Sequence, residues 1–255
     1  MLDLRREKTG TISLIGHRGA TGYYPENTML SFEKGLEMGA NILELDIHLS
    51  RDGHLVVIHD FSLERTTSGK GLVRDHTLRE LQGLDAGSRF DAKYAGMRLQ
   101  IPTLDQVLQW AHGRVWLAIE IKSDWITYPG LEEKLVDLLR KREMVDEVVA
   151  ISFDHKALRR VKDLEPNVAV GPLYSCRLAD AVGVARATGA TVMRPRWPFA
   201  SAELADELHA AGIAFMPWGA RKEEEWKEIL TTMPVDGLSA DHPDRLRKVI
   251  DSLPS

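Results

Sequence analysis

Short apolar runs alternate with amphipathic segments along most of the chain. Eight runs have the length of strands and are rich in Val, Ile and Leu, and between them apolar residues recur at helical spacing. The predicted strands are residues 12–15, 42–47, 115–121, 148–152, 168–173, 191–193, 213–216 and 237–240. The predicted helices are residues 104–110, 131–142, 155–163, 178–187, 201–211, 222–231 and 243–252. Eight strands that alternate with helices predict an α/β fold of the TIM-type (β/α)8 barrel class.

A hairpin is predicted to follow the second of these strands. Asp52-Gly53 lies between two apolar runs, and this dipeptide is the strongest short-range hairpin signal. With these two residues as the loop, Arg51 pairs with His54, and Asp46 lies opposite His59. A register shift of one residue would turn His59 to the other face of the ladder.

Charged side chains occur where predicted strands end. Glu44 and Asp46 are two residues apart in one strand, so both carboxylates point to the same face. Glu120 and Lys122 share a face of another strand in the same way, which adds a third carboxylate and a cation. Carboxylate oxygens without cysteine suit a hard divalent cation such as Mg²⁺ or Ca²⁺. The pattern therefore predicts one metal site at this edge of the sheet.

Two histidines, His17 and His59, also follow apolar runs. Taken alone, such a histidine is more often a satisfied core or rim residue, and a lone Glu-x-Asp in a strand is usually a solvated face. Together these groups would be costly to bury unless they pair or bind metal. They also lie at the strand ends, where α/β barrels keep their active sites. The combined pattern predicts an acid/base histidine pair beside the metal site.

Nine short motifs occur in an order and spacing that resemble one known family. They are His17-Arg18-Gly19, Pro25-Glu26-Asn27-Thr28, Glu44-Leu45-Asp46, Arg51-Asp52-Gly53, His59-Asp60, Arg65-Thr66-Thr67, Leu84-Asp85-Ala86-Gly87, Ile101-Pro102-Thr103-Leu104 and Glu120-Ile121-Lys122. In these motifs the chain resembles the glycerophosphodiester phosphodiesterases, from about residue 15 to residue 243. The resemblance implies a phospholipase C-like phosphodiesterase barrel that uses one divalent cation, Mg²⁺ or Ca²⁺. It also implies hydrolysis of small-molecule glycerophosphodiesters to sn-glycerol 3-phosphate and an alcohol.

The resemblance implies roles for eight residues. The implied roles are acid/base catalysis for His17 and His59, metal binding for Glu44, Asp46 and Glu120, and contact with the phosphate or substrate for Arg18, Lys122 and Trp218. Which histidine is the acid stays open at this point. So does the nucleophile, which is either water or the glycerol 2-hydroxyl of the substrate itself.

Two segments depart from the family pattern. Trp218 is followed by Gly219-Ala220-Arg221 where members usually have Thr-Val-Asn, and Ala240-Asp241-His242-Pro243 stands where Thr-Asp-x-Pro is usual. Neither departure involves the implied metal ligands or histidines, so they affect substrate preference more than reaction type. Arg194 and Arg196 follow the sixth predicted strand. Either arginine could contact a phosphate or polar substrate, or form a surface salt bridge.

The segment from about residue 60 to residue 101 is an insertion that the barrel does not need. It is too long for a plain connection and too short for a domain with a large core of its own. We therefore predict a single (β/α)8 catalytic domain over residues 1–255 with a small insertion after the second strand. The segment from about residue 61 to residue 100 is expected to rise over the barrel mouth and select the alcohol, and changes near Ser88-Arg89-Phe90 are expected to alter that selectivity. The alternative is that the insertion only caps the barrel for stability.

Composition restricts location and partners. The 255 residues are 44% hydrophobic, enough to bury the core of one barrel, and the formal net charge is −5. Without a long basic run, neither nucleic acid nor an anionic membrane surface is a favoured partner. The first residues have no apolar signal core and no 18-residue apolar stretch occurs, so a cytoplasmic protein without stable membrane association is expected. Cys176, the single cysteine, is expected to lie in the core.

Other function classes also remain open from the sequence. One is a phospholipase D-like or lysophospholipid phosphodiesterase on the same barrel, which would need a route for an acyl chain. The second is a non-catalytic glycerophosphodiester-binding module, which would have little reason to keep both His17 and His59. Turnover in the presence of metal separates the enzyme from the binding module.

Overall fold

A computed structural model describes residues 2–123 and 125–253. The strands are β1 Ser13–Gly16, β2 Ile42–Leu49, β3 Leu55–Val57, β4 Trp116–Ile121, β5 Val148–Ser152, β6 Ala169–Tyr174, β7 Val192–Pro195, β8 Ala214–Phe215 and β9 Gly237–Ala240. The α-helices are α1 Arg6–Thr9, α2 Met29–Glu37, α3 Leu78–Gln82, α4 Leu104–Ala111, α5 Leu131–Lys141, α6 His155–Leu164, α7 Ala181–Thr188, α8 Ala202–Ala210, α9 Glu223–Thr232 and α10 Pro243–Asp251. Two 3₁₀ turns lie at Val73–Asp75 and Trp197–Phe199.

Eight parallel strands form a nearly closed barrel with the helices outside. Their order around the sheet is β8-β7-β6-β5-β4-β2-β1-β9, and β3 pairs antiparallel with β2. Between the two ends of this order, the Asp236 N–H donates to the Phe215 carbonyl at 2.9 Å. The Asp236 carboxylate accepts the Phe215 N–H at 2.7 Å, so one residue bridges the gap. The predicted TIM-type barrel is confirmed.

Side chains alternate between the barrel interior and the helix layer. In β2, Ile42 belongs to the interior cluster, whereas Leu43 and Leu45 pack with the helices. The strand period of two therefore turns Glu44 and Asp46 into the barrel. In each strand, the residue two positions after an interior apolar residue also faces the interior. It lies one layer closer to the C-terminal end of the barrel.

The hairpin register differs by one residue from the predicted register. The ladder pairs Ile47 with Val57 and Leu49 with Leu55, so the loop is three residues, 51–53, rather than Asp52-Gly53 alone. A two-residue type I′ turn needs positive φ at both central residues, but only Gly53 has it, at 79°. The predicted pairing of Asp46 with His59 is therefore wrong, and the Ile58 N–H donates to the Asp46 carbonyl at 3.0 Å.

The structure adds one helix that was not predicted and corrects one expectation. Helix α2 begins after Thr28, whose hydroxyl accepts the Ser31 N–H at 3.2 Å as an N-cap. Cys176 is exposed on the loop after β6, so the expected core position is wrong. The wall of the barrel ends at Tyr174, and two residues later the chain has left the packed layers.

The segment between β3 and α4 builds a small apolar cluster of its own. Leu63, Val73 and Leu81 are fully buried there and pack with Val56 and Ile58 of the hairpin. Through this cluster the segment packs against β3 and the residue that follows it.

Candidate functional site

A ring of polar and aromatic side chains lines an open cavity at the C-terminal end of the barrel. The cavity, counted together with the space at its mouth that is open to solvent, occupies about 690 Å³. Its lining includes His17, Arg18, Glu44, His59, Glu120, Lys122, Phe153, Arg194, Trp218, Arg221, Ser239 and Asp241. Seven of the eight residues predicted for the site belong to this lining. The eighth, Asp46, has no exposed surface and lies behind it.

Three carboxylates converge at one wall of the cavity. Ligand oxygens of Glu44, Asp46 and Glu120 all lie within 4.8 Å of one another. The Asn27 side chain donates to Asp46 Oδ2 at 2.8 Å, whereas Asp46 Oδ1 is buried and has no hydrogen-bond partner among the described residues. A buried acceptor without a donor is costly. An oxygen-only set with one unsatisfied oxygen fits a hard divalent cation.

The electrostatics of the carboxylates differ although they are close together. Burial and the negative charge of Asp46 raise the pKa of Glu44. Burial would also raise the pKa of Asp46, but the charges of Lys122 and Arg18 outweigh it and hold that pKa well below its usual value. Burial raises the pKa of Glu120, with Lys122 opposing the shift. A group of like charges held this close favours either a shared proton or a cation.

Lys122 joins the carboxylates to a histidine. Its Nζ lies 2.7 Å from Glu120 Oε1, 3.5 Å from Asp46 Oδ1 and 3.2 Å from His59 Nε2. Burial opposes the ammonium charge, but the two carboxylates outweigh it and raise the pKa of Lys122. An ammonium group has donors only, so it donates to His59 Nε2. That nitrogen is then an acceptor in this arrangement.

His59 is held from two sides. Its Nδ1 lies 2.6 Å from Asp60 Oδ1, and its carbonyl is 3.0 Å from the Nε2 of buried His48. Asp60 is in turn bound by Arg65, whose Nε donates to Asp60 Oδ2 at 2.6 Å. Burial would raise the pKa of Asp60, but the bonds from His59 and Arg65 lower it, so the carboxylate stays charged. The chain bends after Ile58, and the ring therefore reaches the cavity despite the shifted register.

His17 has a matching carboxylate partner. Its Nδ1 lies 2.5 Å from Asp241 Oδ1, and its Nε2 lies 4.0 Å from Glu44 Oε2. Burial disfavours the imidazolium, but the Asp241 bond and the charge of Glu44 prevail and raise the pKa of His17. Because Nδ1 is occupied in both histidines, Nε2 is the nitrogen that can exchange a proton in the cavity, and in His59 it also accepts from Lys122.

The turn after β1 places Arg18. Arg18 and Asn27 both adopt left-handed φ angles, 51° and 56°, and the Asn27 N–H donates to the Arg18 carbonyl at 3.2 Å. The backbone N–H of Arg18 donates to Glu44 Oε2 at 2.9 Å, and its guanidinium donates to Glu26 Oε1 at 2.9 Å. Left-handed non-glycine residues are strained and cluster at functional sites.

Aromatic side chains form the opposite rim. Trp218 packs edge-on against Phe153, with ring centroids 5.4 Å apart, and its Nε1 donates to the Arg194 carbonyl at 3.0 Å. Phe153 is 39% exposed. No described residue from 60 to 101 belongs to the cavity lining, so the predicted insertion contributes through Asp60 and Arg65 rather than as a wall.

Sequence reasoning missed the residues that orient the reactive groups. Asp60 was visible as the neighbour of His59, and Asp241 as a carboxylate at the end of the last strand. Asn27 lies in one of the nine motifs, but its contact with Asp46 was not predictable because it joins residues 19 positions apart.

The fold and cavity define a class of protein, the α/β-barrel enzymes that set carboxylate-paired histidines beside a cluster of carboxylates able to hold a cation. A sequence model of the glycerophosphoryl diester phosphodiesterase family matches residues 17–245. The chain belongs to that family, and the predicted enzyme class, phosphoric diester hydrolase, is confirmed.

Individual relatives agree with the family. The glycerophosphodiester phosphodiesterase of Caldanaerobacter subterraneus subsp. tengcongensis is 38% identical over 93% of this chain and 97% of its own length. The glycerophosphodiester phosphodiesterase of Bacillus altitudinis is 35% identical over 94% of this chain and 98% of its own length. An Oleispira antarctica phosphodiesterase, solved with its product sn-glycerol-3-phosphate, superposes with a TM-score of 0.85 at 27% identity, covering 96% of this chain and 99% of that one.

Of the helices in residues 2–123 and 125–253, none combines the length and the apolar character that crossing a membrane requires.

Proposed function

We propose that this chain hydrolyses glycerophosphodiesters to sn-glycerol 3-phosphate and an alcohol, with one bound divalent cation and two catalytic histidines. The observation that carries the proposal is the convergence of His17, His59 and three carboxylates on one cavity. The product bound to the Oleispira antarctica relative supports the same substrate class for this chain.

Glu44, Asp46 and Glu120 would hold the cation, which we propose to be Mg²⁺ or Ca²⁺. When bound, it supplies positive charge for the oxygens of the phosphoryl group. Arg18 and Lys122 line the same cavity and would add charge-assisted hydrogen bonds to the phosphate. Trp218 would border the substrate.

The hydrogen bonds suggest how the two histidines divide the work. Because Lys122 donates to His59 Nε2, that ring is neutral and carries its proton on Nδ1, toward Asp60. A neutral His59 suits the general base, which takes a proton from the attacking hydroxyl. His17, oriented by Asp241, then donates a proton to the leaving alkoxide. The attacking hydroxyl is either water or the glycerol 2-hydroxyl, and phosphorus NMR distinguishes them by the presence of a cyclic phosphate.

Identification of the products tests the proposal. Glycerophosphocholine incubated with the protein and Mg²⁺ or Ca²⁺ is expected to give sn-glycerol 3-phosphate and choline in equal amounts. Glycerol and phosphocholine would indicate cleavage of the other ester bond. Binding of the diester without any product would support a non-catalytic module.

The cytoplasmic location expected from the sequence stays a prediction, which cell fractionation would check.

A further inference from the structure

Arg194 is a buried cation in the cavity wall. It lies in β7 two residues after Val192, which packs inside the barrel, so its side chain also points inward. The residue is only 2% exposed and lines the cavity. The strand period thus places a guanidinium inside the barrel.

The guanidinium of Arg194 has few protein partners. Its Nη2 donates to Ser239 Oγ at 2.9 Å, and its Nε has no hydrogen-bond partner among residues 2–123 and 125–253. No carboxylate in the described part of the chain lies within ion-pair distance of it. The other buried cations of the site are paired, Arg18 with Glu26 and Lys122 with Glu120. Arg194 is therefore the buried cation of this cavity that lacks a carboxylate partner.

The surrounding charges do not fully compensate Arg194. Burial lowers the pKa of its guanidinium, and the more distant charges of Glu44 and Glu120 only oppose that shift. Both carboxylates also belong to the candidate metal site. A cation held there would neutralise them and leave Arg194 without a counter-charge. Burying a charge is unfavourable unless it is paired.

We propose that Arg194 binds the phosphate group in the cavity, through a non-bridging oxygen of the diester and of the phosphomonoester product. Its planar fork of donors suits phosphate oxygens. The identity of the diester rests on the proposed function, whereas the anion site itself does not. Arg196 has the opposite environment: it is exposed and does not line the cavity. Of the two arginines left open by the sequence, Arg194 is the phosphate ligand.

The competing explanation is a structural role. The bond from Arg194 to Ser239 joins β7 to β9, and it could serve only to close the barrel. That role predicts loss of stability without loss of phosphate binding. Ser239→Ala removes the same bond and keeps the cation, so it reports the structural contribution separately.

Calorimetric binding of inorganic phosphate and of sn-glycerol 3-phosphate to the full-length, Mg²⁺-loaded protein tests the proposal without turnover. Arg194→Met is expected to weaken both affinities at least tenfold, and Arg194→Lys at least threefold because the fork is lost. Arg196→Met, which removes the same charge outside the cavity, should stay within twofold of wild type. In the diester assay, Arg194→Lys is expected to raise KM more than it lowers kcat.

Wild-type-like phosphate affinity in folded Arg194→Met would overturn the proposal. If that variant does not fold, Arg194→Lys decides, and an affinity within twofold of wild type overturns the proposal equally. Failure of the proposed function is a separate result: wild type would then bind phosphate through Arg194 but release no sn-glycerol 3-phosphate from any diester.

Discussion

Each candidate catalytic histidine owes its orientation to one carboxylate. Asp60 holds His59 and Asp241 holds His17, both through Nδ1. The sequence predicted both histidines because strand ends identify them. It did not predict Asp241 as a partner, because the contact joins residues 224 positions apart. Strand periodicity places residues along a wall, but it does not say which side chains meet across the barrel.

Removing either orienting carboxylate should slow catalysis. Asp60→Asn and Asp241→Asn are each expected to lower kcat by about 10- to 100-fold, the loss that follows removal of the carboxylate behind a metal-bound histidine, because each carboxylate here orients its histidine in the same way. Asp206→Asn, which changes an exposed carboxylate on α8, is the matched control. Steady-state kinetics with glycerophosphocholine gives the comparison. Unchanged kcat in both site variants would mean that the pairs are only structural.

Leaving-group chemistry separates the two histidines. His17→Ala and His59→Ala should each lower kcat by about 10²- to 10⁴-fold with an alkyl alcohol as leaving group. A nitrophenolate leaves without a proton, so a nitrophenyl diester should partly rescue His17→Ala and not His59→Ala. Rescue of His59→Ala alone would reverse the assigned roles.

The apolar pattern predicts the strands and most of the helices, but it does not predict the register of the hairpin. Asp-Gly signals a turn, but the two- and three-residue loops share that signal and differ only in backbone angles. In this chain the Asp52 carboxylate accepts the Ser50 hydroxyl and the Leu78 N–H, at 2.7 and 2.9 Å. These contacts come from the insertion as well as the hairpin, so the local sequence could not reveal them.

The loop should depend on a left-handed residue at position 53. Gly53→Val is expected to lower the free energy of unfolding by about 1–2 kcal/mol, the typical cost of a left-handed conformation for a side chain. Gly53→Asn should lose less, because asparagine tolerates this conformation. Urea unfolding measures both. Equal stability of the two variants would contradict the loop assignment.

In the whole molecule, the candidate catalytic groups and an aromatic rim line the same end of the barrel, and we expect the rim to contact the part of the substrate beyond the phosphate. The sequence placed selectivity near Ser88-Arg89-Phe90, but these residues do not line the cavity. Phe153 and Trp218 do line it, and Trp125, 69% exposed, contacts Phe61 nearby. An insertion is contiguous and can be recognised in the sequence. The aromatic rim is not contiguous, because Phe153 and Trp218 come from loops after different strands.

Head-group selectivity should therefore follow Phe153. Phe153→Ala is expected to lower kcat/KM for glycerophosphocholine about 2- to 5-fold more than for glycerophosphoglycerol, because a quaternary ammonium group gains about 0.5–1 kcal/mol over an aromatic face. Phe90→Ala is the matched control, since Phe90 is 40% exposed and Phe153 is 39% exposed. A larger change in selectivity in Phe90→Ala than in Phe153→Ala would assign head-group selectivity to the insertion.

Lysophosphatidylcholine as a third substrate shows whether the exposed rim accepts an acyl chain.

We propose that Glu44, Asp46 and Glu120 hold a divalent cation on which hydrolysis depends. The most direct measurement is release of sn-glycerol 3-phosphate from glycerophosphocholine by protein stripped with EDTA, before and after Mg²⁺ or Ca²⁺ is restored. Activity is expected to vanish on stripping and to return with metal, and Glu44→Gln, Asp46→Asn and Glu120→Gln should each require more metal for half-maximal activity. Full activity in excess EDTA would contradict the account.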